Sequence, residues 1–243
     1  MKKVDLIEMF LRSLFVQSSW NFKKMQNTGF AYSLIPLVRR FGVDKERVSG
    51  ALTRHTQQFS SHQYLTGAII GSVARMEESS EDSNCPEAVR LKETLMAPYA
   101  AIGDHFFWGG FKPFTSVVGV ILALEGLLVA PLIFLMMFNS IHIWVRLKGF
   151  CEGYLDGKGG VRFLSAIDLP GKVRTLKWVT TILLAVLCAV FVDSSIILAD
   201  FPPWVAVGGT FSLVLLCLSL VGRGISSIAI LYGMVCLLLV VTV

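Results

Sequence analysis

Charge is the scarcest property of this sequence. Only 16% of its 243 residues are Asp, Glu, Lys or Arg, against about a quarter in a soluble domain. Hydrophobic residues make up 54% and the mean hydropathy is +0.65, so the composition excludes an ordinary soluble domain and points to a membrane protein. The five cysteines, Cys85, Cys151, Cys188, Cys217 and Cys236, show no CxxC spacing, and neither a disulfide framework nor a zinc site follows from them. No basic run is interleaved with aromatics, so the net charge of +5 is assigned to membrane flanks rather than to nucleic acid. Met1-Lys2-Lys3-Val4-Asp5 does not read as a signal peptide, because Asp5, Glu8 and Arg12 interrupt any apolar core. A Ser/His/Asp set, a metal-ligand cluster and a phosphate loop are all missing. His55 and His62 are seven apart with a break at Ser60-Ser61 between them, so they do not read as a metal pair. No catalytic residue, metal or cofactor is expected in this chain.

The charges that are present lie mostly in the first half. Residues 1–112 hold 14 Lys/Arg and 11 Asp/Glu, whereas residues 178–243 hold only Asp193, Asp200 and Arg223. The pattern predicts an all-α integral membrane protein. Its N-terminal two-thirds would be amphipathic and re-entrant helices, followed by about three transmembrane helices. Residues 1–112 form a cytoplasmic or interfacial helical region, 113–145 a re-entrant apolar hairpin, 146–177 a basic cytoplasmic segment and 178–243 the spans. The basic segment carries seven Lys/Arg against Glu152, Asp156 and Asp168, which places it on the cytoplasmic side. With both flanks on that side, the apolar run 114–138 must enter and return, turning near Glu125-Gly126. A single tilted span is the alternative. Spans over about 178–199, 204–222 and 225–243 then put the C-terminus outside, with Asp193 either at the outer interface or buried as a functional acid.

Along the chain, residues 4–17 read as an amphipathic helix with Leu6, Ile7, Phe10, Leu11, Leu14 and Phe15 on one face. Trp20 beside Lys23 and Lys24 suits the headgroup layer. Asp44 is a plausible N-cap for a helix over about 45–59. Residues 64–76 form a helix too short to span, with Gly67 and Gly71 offering a close-packing face that has no obvious mate within the chain. Residues 79–84 read as a polar linker, and Pro86 opens a helix to about residue 97.

Residues 95–113 are the stretch around which the rest is arranged. Pro98 and Gly103, then Gly109 and Gly110, are expected to break the helix. Broken apolar backbone in a membrane must be packed in protein or line a cavity, and Asp104 and His105 beside the break favour the cavity. The alternative is an interfacial loop with Asp104 as a helix cap. Asp104 and Glu125 both call for neutralisation, and Lys112, His142 and Arg146 are the nearest candidates by topology.

A run of short motifs stands in order along the chain, from Arg12-Ser13 through Gln17-x-Ser19-Trp20-Asn21-Phe22 and Met25-Gln26-x-x-Gly29-Phe30. They continue with Arg54-His55, Phe59-x-x-His62-x-Tyr64 and Met76-Glu77-Glu78. Then come Lys92-x-x-Leu95-Met96-x-Pro98 and Ile102-Gly103-Asp104-x-x-Phe107-Trp108-Gly109. The last are Leu124-Glu125-Gly126, Pro131, Phe138-Asn139, His142, Arg146 and Gly149-x-x-x-Gly153-Tyr154. Taken in this order they resemble the IID component of the mannose-family sugar phosphotransferase system (PTS). The resemblance departs at Ser60-Ser61-His62-Gln63-Tyr64 and at Ala97, Ala101, His105 and Lys112, where the family has other residues. The chain is also shorter than the family after about residue 178.

The resemblance implies a multi-pass subunit of the bacterial inner membrane that pairs with a IIC subunit to conduct a hexose. Cytoplasmic IIA and IIB components would carry the phosphate, so none of the four histidines here would. Substrate-path candidates are Asp104, Glu125, Asn139 and His142. Partner or structural candidates are Trp20, Asn21, Gln26, Arg54, His55, His62, Glu77, Glu78, Pro98, Gly103, Trp108 and Arg146. Asp104 would fix the broken segment against IIC beside the sugar path, and Glu125 would cap the re-entrant tip. A non-transporting regulatory or scaffolding relative is the second reading, and an ion-coupled transporter built on Asp104 and Glu125 a third.

Overall fold

The computed structural model describes residues 1–80, 85–157, 162–163, 166–194 and 202–242. Among the described residues the secondary structure is helical apart from two isolated bridges, Asn21 with Met25 and Met25 with Phe59. The chain divides into two units, Met1–Thr181 and Ile182–Val243.

The first unit is built around α5 (Thr66–Ser79), which is buried without interruption from Thr66 to Ala74. Its sequence Thr-Gly-Ala-Ile-Ile-Gly-Ser-Val-Ala carries no charge, so every side of the helix tolerates burial. Helix α8 (Ala130–Asp156) lies against it through small residues on both partners. A Cβ on Gly67 would lie 2.7 Å from the Arg146 carbonyl oxygen, and one on Gly71 would lie 2.3 Å from that of Phe150. Reciprocally, a Cβ on Gly153 would lie 2.3 Å from the Ala68 carbonyl oxygen. The close-packing face at Gly67 and Gly71 therefore does have an internal mate, supplied by Gly149-x-x-x-Gly153 about eighty residues later. That pairing corrects the expectation that this face lacks a mate.

Around this pair sit the short helices α1 (Lys3–Ser13), α2 (Asn27–Ser33), α3 (Ile35–Arg39) and α4 (Lys45–His55). Asp44 caps α4 as expected, its carboxylate accepting the Arg47 N–H at 3.0 Å, and α4 ends at His55 rather than near 59. In α1 the expected apolar face is divided. Met9 is buried, and Leu6 and Phe10 pack on the core, but Ile7 (59% exposed), Leu11 and Phe15 point outward.

The largest departure concerns residues 95–113. Helix α6 (Pro86–Gly103) runs through Pro98, a π-helical segment follows over Asp104–Phe111, and α7 (Lys112–Leu124) continues it. The expected breaks at Pro98, Gly103 and Gly109-Gly110 are thus absent. Pro98, Ala97 and Thr94 all lie on the exposed side of α6, away from buried Leu95 and Tyr99. The missing hydrogen bond therefore falls outside the core. The glycine-rich stretch is accommodated by underwinding: the N–H of Lys112 bonds to the carbonyl of Phe107, five residues back.

The stretches Pro86–Leu124 and Ala130–Asp156 are each long and apolar enough to cross a membrane, and only 28% and 22% of their apolar windows is buried within the chain. A core helix of a soluble protein would show the reverse. The turn between them falls where the sequence places it, at Glu125-Gly126, with Gly126 at φ +80°. Helix α9 (Leu169–Ser194) begins in the first unit. In the second unit, α10 (Pro203–Gly222) contacts α11 (Ser227–Thr242), with Cys217 Sγ 4.0 Å from Met234 Sδ. The end of the linker at 81–84, the Asp200 turn residue and the Asp193 side chain lie outside the described residues.

Candidate functional site

The loop 56–65 between α4 and α5 carries His62 and Tyr64, and two polar side chains fix it from behind. Gln26 donates from Nε2 to the Ser61 carbonyl at 2.9 Å, and its Oε1 accepts the Ser61 N–H at 3.1 Å, imitating one rung of a sheet. Asn27 donates to the Thr56 carbonyl at 2.7 Å and accepts from Asn21 at 2.9 Å. Asn21 in turn caps its own turn by accepting the Lys24 N–H at 2.8 Å. From the other side Arg146, almost fully buried on α8, donates from Nε to the Gln63 carbonyl at 3.1 Å and from Nη2 to the same oxygen. Its guanidinium stands 5.6 Å from the centre of the Tyr64 ring.

Held in this way, the loop completes an aromatic cluster with the π-helical segment and α8. The His62 ring stacks on Phe107 at 5.1 Å and 11°, and the Tyr64 ring stacks on His142 at 4.3 Å and 19°. Trp108, 41% exposed, approaches His62 at 5.7 Å, and Phe138 closes the base below Tyr64. Gly103 is required here: a Cβ would lie 2.3 Å from the His62 side chain. His142 Nε2 is 2.8 Å from Asn139 Oδ1.

His62 Nε2 is buried without a hydrogen-bond partner among the described residues and lies 3.8 Å from Asp104 Oδ1. Burial, reinforced by the charge of Arg146, pushes the His62 imidazole down to about 4. It is therefore neutral near pH 7, and the contact with Asp104 is neither an ion pair nor, at this distance, a hydrogen bond. Asp104 itself is 63% exposed. This corrects two expectations: Asp104 is not a buried acid, and the group facing it is His62 rather than Lys112, His142 or Arg146.

Three of the four substrate-path candidates, Asp104, Asn139 and His142, thus border one cluster together with His62, Gly103, Trp108 and Arg146. Glu125 does not; it is exposed at the hairpin tip, closing the last turn of α7. Arg54, His55 and Glu77 form a separate buried group. Arg54 donates to both Glu77 oxygens at 2.8 and 2.7 Å, and His55 Nε2 lies 2.8 Å from Oε1. Because a carboxylate only accepts, His55 Nε2 carries the proton. Burial pushes Glu77 up, but the bonds from Arg54 and His55 outweigh it and hold Glu77 at about 2. Burial likewise keeps His55 neutral, against the pull of Glu77. Lys92, with no exposed surface, donates to the Arg54 carbonyl at 3.1 Å. Glu78 gathers Arg40 at 2.9 Å, the amine of Met1 and the Tyr154 hydroxyl. Trp20 lies at the surface against Phe22, at 4.8 Å, and Pro98 on the outer side of α6.

Tyr64, Phe107 and Phe138 are the cluster members absent from the expected set. Phe134, Phe138 and His142 recur every four residues, one stripe of α8, so part of this was readable. What the cluster exposes is the Trp108 ring and the Asp104 carboxylate, with Tyr64, Asn139 and His142 half-buried beside them, while His62 and Phe107 lie beneath. An exposed ring beside a carboxylate and an amide can pack on and hydrogen-bond to a small polar ligand.

The family model described as "PTS system mannose/fructose/sorbose family IID component" matches residues 1–203. The chain is 34% identical over 158 residues to the fructose permease IID component of Bacillus subtilis (strain 168). It is 35% identical over 159 residues to the PTS mannose-specific EIID component of Escherichia coli (strain K12). These alignments cover 64% and 63% of this chain but only 58% and 56% of the relatives, so the chain matches little more than half of their length. Among solved structures, a chain of the mannose transporter ManYZ in complex with microcin E492 superposes with a TM-score of 0.60 at 25% identity. That superposition covers 99% of this chain and 96% of the other.

Proposed function

This chain belongs to the mannose/fructose/sorbose family of PTS IID components, and on that footing we propose that it is the membrane subunit of a sugar-phosphorylating permease. It pairs with a IIC subunit in the bacterial inner membrane to translocate a hexose, which IIA and IIB components phosphorylate. The match over residues 1–203 carries this reading. The cluster of Asp104, His62, Tyr64, His142 and Asn139 supplies a place where this subunit meets the sugar path.

The hairpin supports one arrangement in the bilayer. Lys112 stands over the Trp108 ring at 4.9 Å, and Lys148 over the Trp144 ring at 5.1 Å. Paired Trp and Lys suit the headgroup level. From Lys112 to the tip at Glu125 the helix rises only about 20 Å at 1.5 Å per residue, less than the ~30 Å hydrocarbon core. We read the hairpin as re-entrant, its two ends on the cytoplasmic side, and α9, α10 and α11 as the full spans.

The test is phosphoenolpyruvate-dependent uptake of mannose, fructose and sorbose in cells lacking their own permeases, with this chain expressed alongside IIC, IIA and IIB. Uptake is expected, and Asp104→Asn should assemble with IIC yet lose most of it. An assembled wild-type complex that takes up and phosphorylates none of these sugars would overturn the reading and leave a scaffolding role.

A further inference from the structure

A cavity of about 530 Å³ opens between the π-helical segment and the first half of α9, apart from the aromatic cluster. It falls within the ~300–1,000 Å³ typical of small-ligand sites. His105 stands on one side; Val173, Arg174, Lys177, Trp178 and Thr181, recurring at helical spacing, form one face of α9 on the other. The floor is fixed, because Val173 is 1% exposed and packs beside Gly110, where a Cβ would lie 3.5 Å from Val173 Cγ1. The rim is open: Arg174 and Lys177 are exposed, and Trp178 is 67% exposed. Among the described residues, neither Arg174 nor Lys177 has an ion-pair partner.

We propose that this cavity binds the phosphate-bearing headgroup of an anionic phospholipid. Arg174 and Lys177 neutralise the phosphate, His105 adds a hydrogen bond, and Trp178 lies at the level of the glycerol esters. Three observations converge on a lipid rather than a soluble anion. The two cations sit beside a tryptophan at the start of a stretch that has no further charge until Asp193, which is where headgroups lie. The remaining wall is apolar, suited to the root of an acyl chain. Lys112 over the Trp108 ring at 4.9 Å, at the end of the π-helical segment that carries His105, is a second Lys–Trp pair of the kind that suits the headgroup level. Basic pockets beside membrane helices on the cytoplasmic side are a recurring way of holding acidic lipids.

The proposal rests on the reading that α9 enters the bilayer, but not on sugar transport. The full chain co-purified with IIC would be examined by native mass spectrometry after exchange into phosphatidylglycerol, phosphatidylcholine or an equal mixture. Phosphatidylglycerol should be retained preferentially. Arg174→Gln with Lys177→Gln should weaken retention by about 25-fold, at about fivefold per charge. The swap Arg174→Lys with Lys177→Arg keeps both charges and should retain the lipid, so a folding defect is told apart from loss of charge. Equal retention of both lipids, unchanged retention in the Gln pair, loss in the charge-keeping swap, or displacement by millimolar inorganic phosphate would each overturn it. A chain recovered without membrane in the soluble fraction would instead overturn the bilayer reading itself.

Discussion

Replacing Glu77 by Gln tests the energetics of the first unit most directly. Glu77 is 1% exposed and takes three hydrogen bonds, two from Arg54 and one from His55. The amide keeps one acceptor oxygen, turns an N–H₂ toward a donor, and leaves the Arg54 charge unmatched. Breaking one side of a buried pair costs about 3–5 kcal/mol. The titration gives an independent figure. A carboxylate held at about 2 rather than 4.5 is worth about 3 kcal/mol when fully ionised, at 1.36 kcal/mol per pKa unit. Because the folded pKa is the lower one, this stability is complete above pH 4.5 and is lost as pH falls from 4.5 through 2. At about 2–4 °C per kcal/mol for a domain of this size, Glu77→Gln should melt about 10 °C lower at pH 7. The gap should narrow below pH 4.5 as the wild-type loses its own ion pair. The assay is thermal unfolding of the detergent-solubilised complex followed by size exclusion. A variant within 2 °C of wild type, or a gap unchanged at pH 3, would refute the claim that the ionised pair locks α4 to α5.

Further outcomes are expected. Gly71→Ala places a Cβ 2.3 Å from the Phe150 carbonyl and should destabilise by about 2 kcal/mol despite better helix propensity. Gly208→Ala, with open space around it, should be neutral or slightly stabilising in the same melting assay. His62→Phe preserves the stack on Phe107 but removes both ring nitrogens, the unpartnered Nε2 and the Nδ1 that accepts the Tyr64 N–H at 3.3 Å; it should fold and lose sugar uptake, and normal uptake would reduce His62 to packing. In a cysteine-free background, Leu128→Cys at the hairpin tip, where Leu128 is 96% exposed in the chain alone, should resist membrane-impermeant thiol reagents from both sides. Ser79→Cys should label only from the cytoplasm. Labelling of position 128 from outside would replace the re-entrant hairpin by two full spans.

Features carried by local chemistry were legible in the sequence. The Asp44 cap, the turn at Glu125-Gly126 and the small-residue face of α5 each depend on a few neighbouring residues. The mate of that face was not readable by periodicity, because Gly149 and Gly153 reach it from a distant helix and glycine spacing alone names no partner. The unbroken passage through Pro98 and the π-helical segment was missed for a related reason. Helix-breaking rules weigh residues singly, whereas here an outward proline and an underwound turn absorb the irregularity within one helix. In the site, Asp104 stands out as an ionisable residue in apolar sequence, whereas Asn139 and His142 come with the motifs of the resemblance. The residue facing Asp104 was misassigned, because His62 arrives on a loop whose placement depends on Gln26, Asn27 and Arg146.

The π-helical segment also sets a phase. Each α-helical residue turns the chain by about 100°, so inserting or deleting one residue between Asp104 and Phe111 would rotate the whole of α7 against α6 by roughly that angle while changing its length by only ~1.5 Å. Phe107 would keep its place on His62 if the change fell after it, but Thr115 and Val117, now buried, would turn outward, and Gly119 would leave Phe134 of α8. The segment works as a gear between two ends of one continuous rod. Upstream it presents the aromatic cluster, downstream it aims the hairpin, and its winding alone decides how the two are timed to each other.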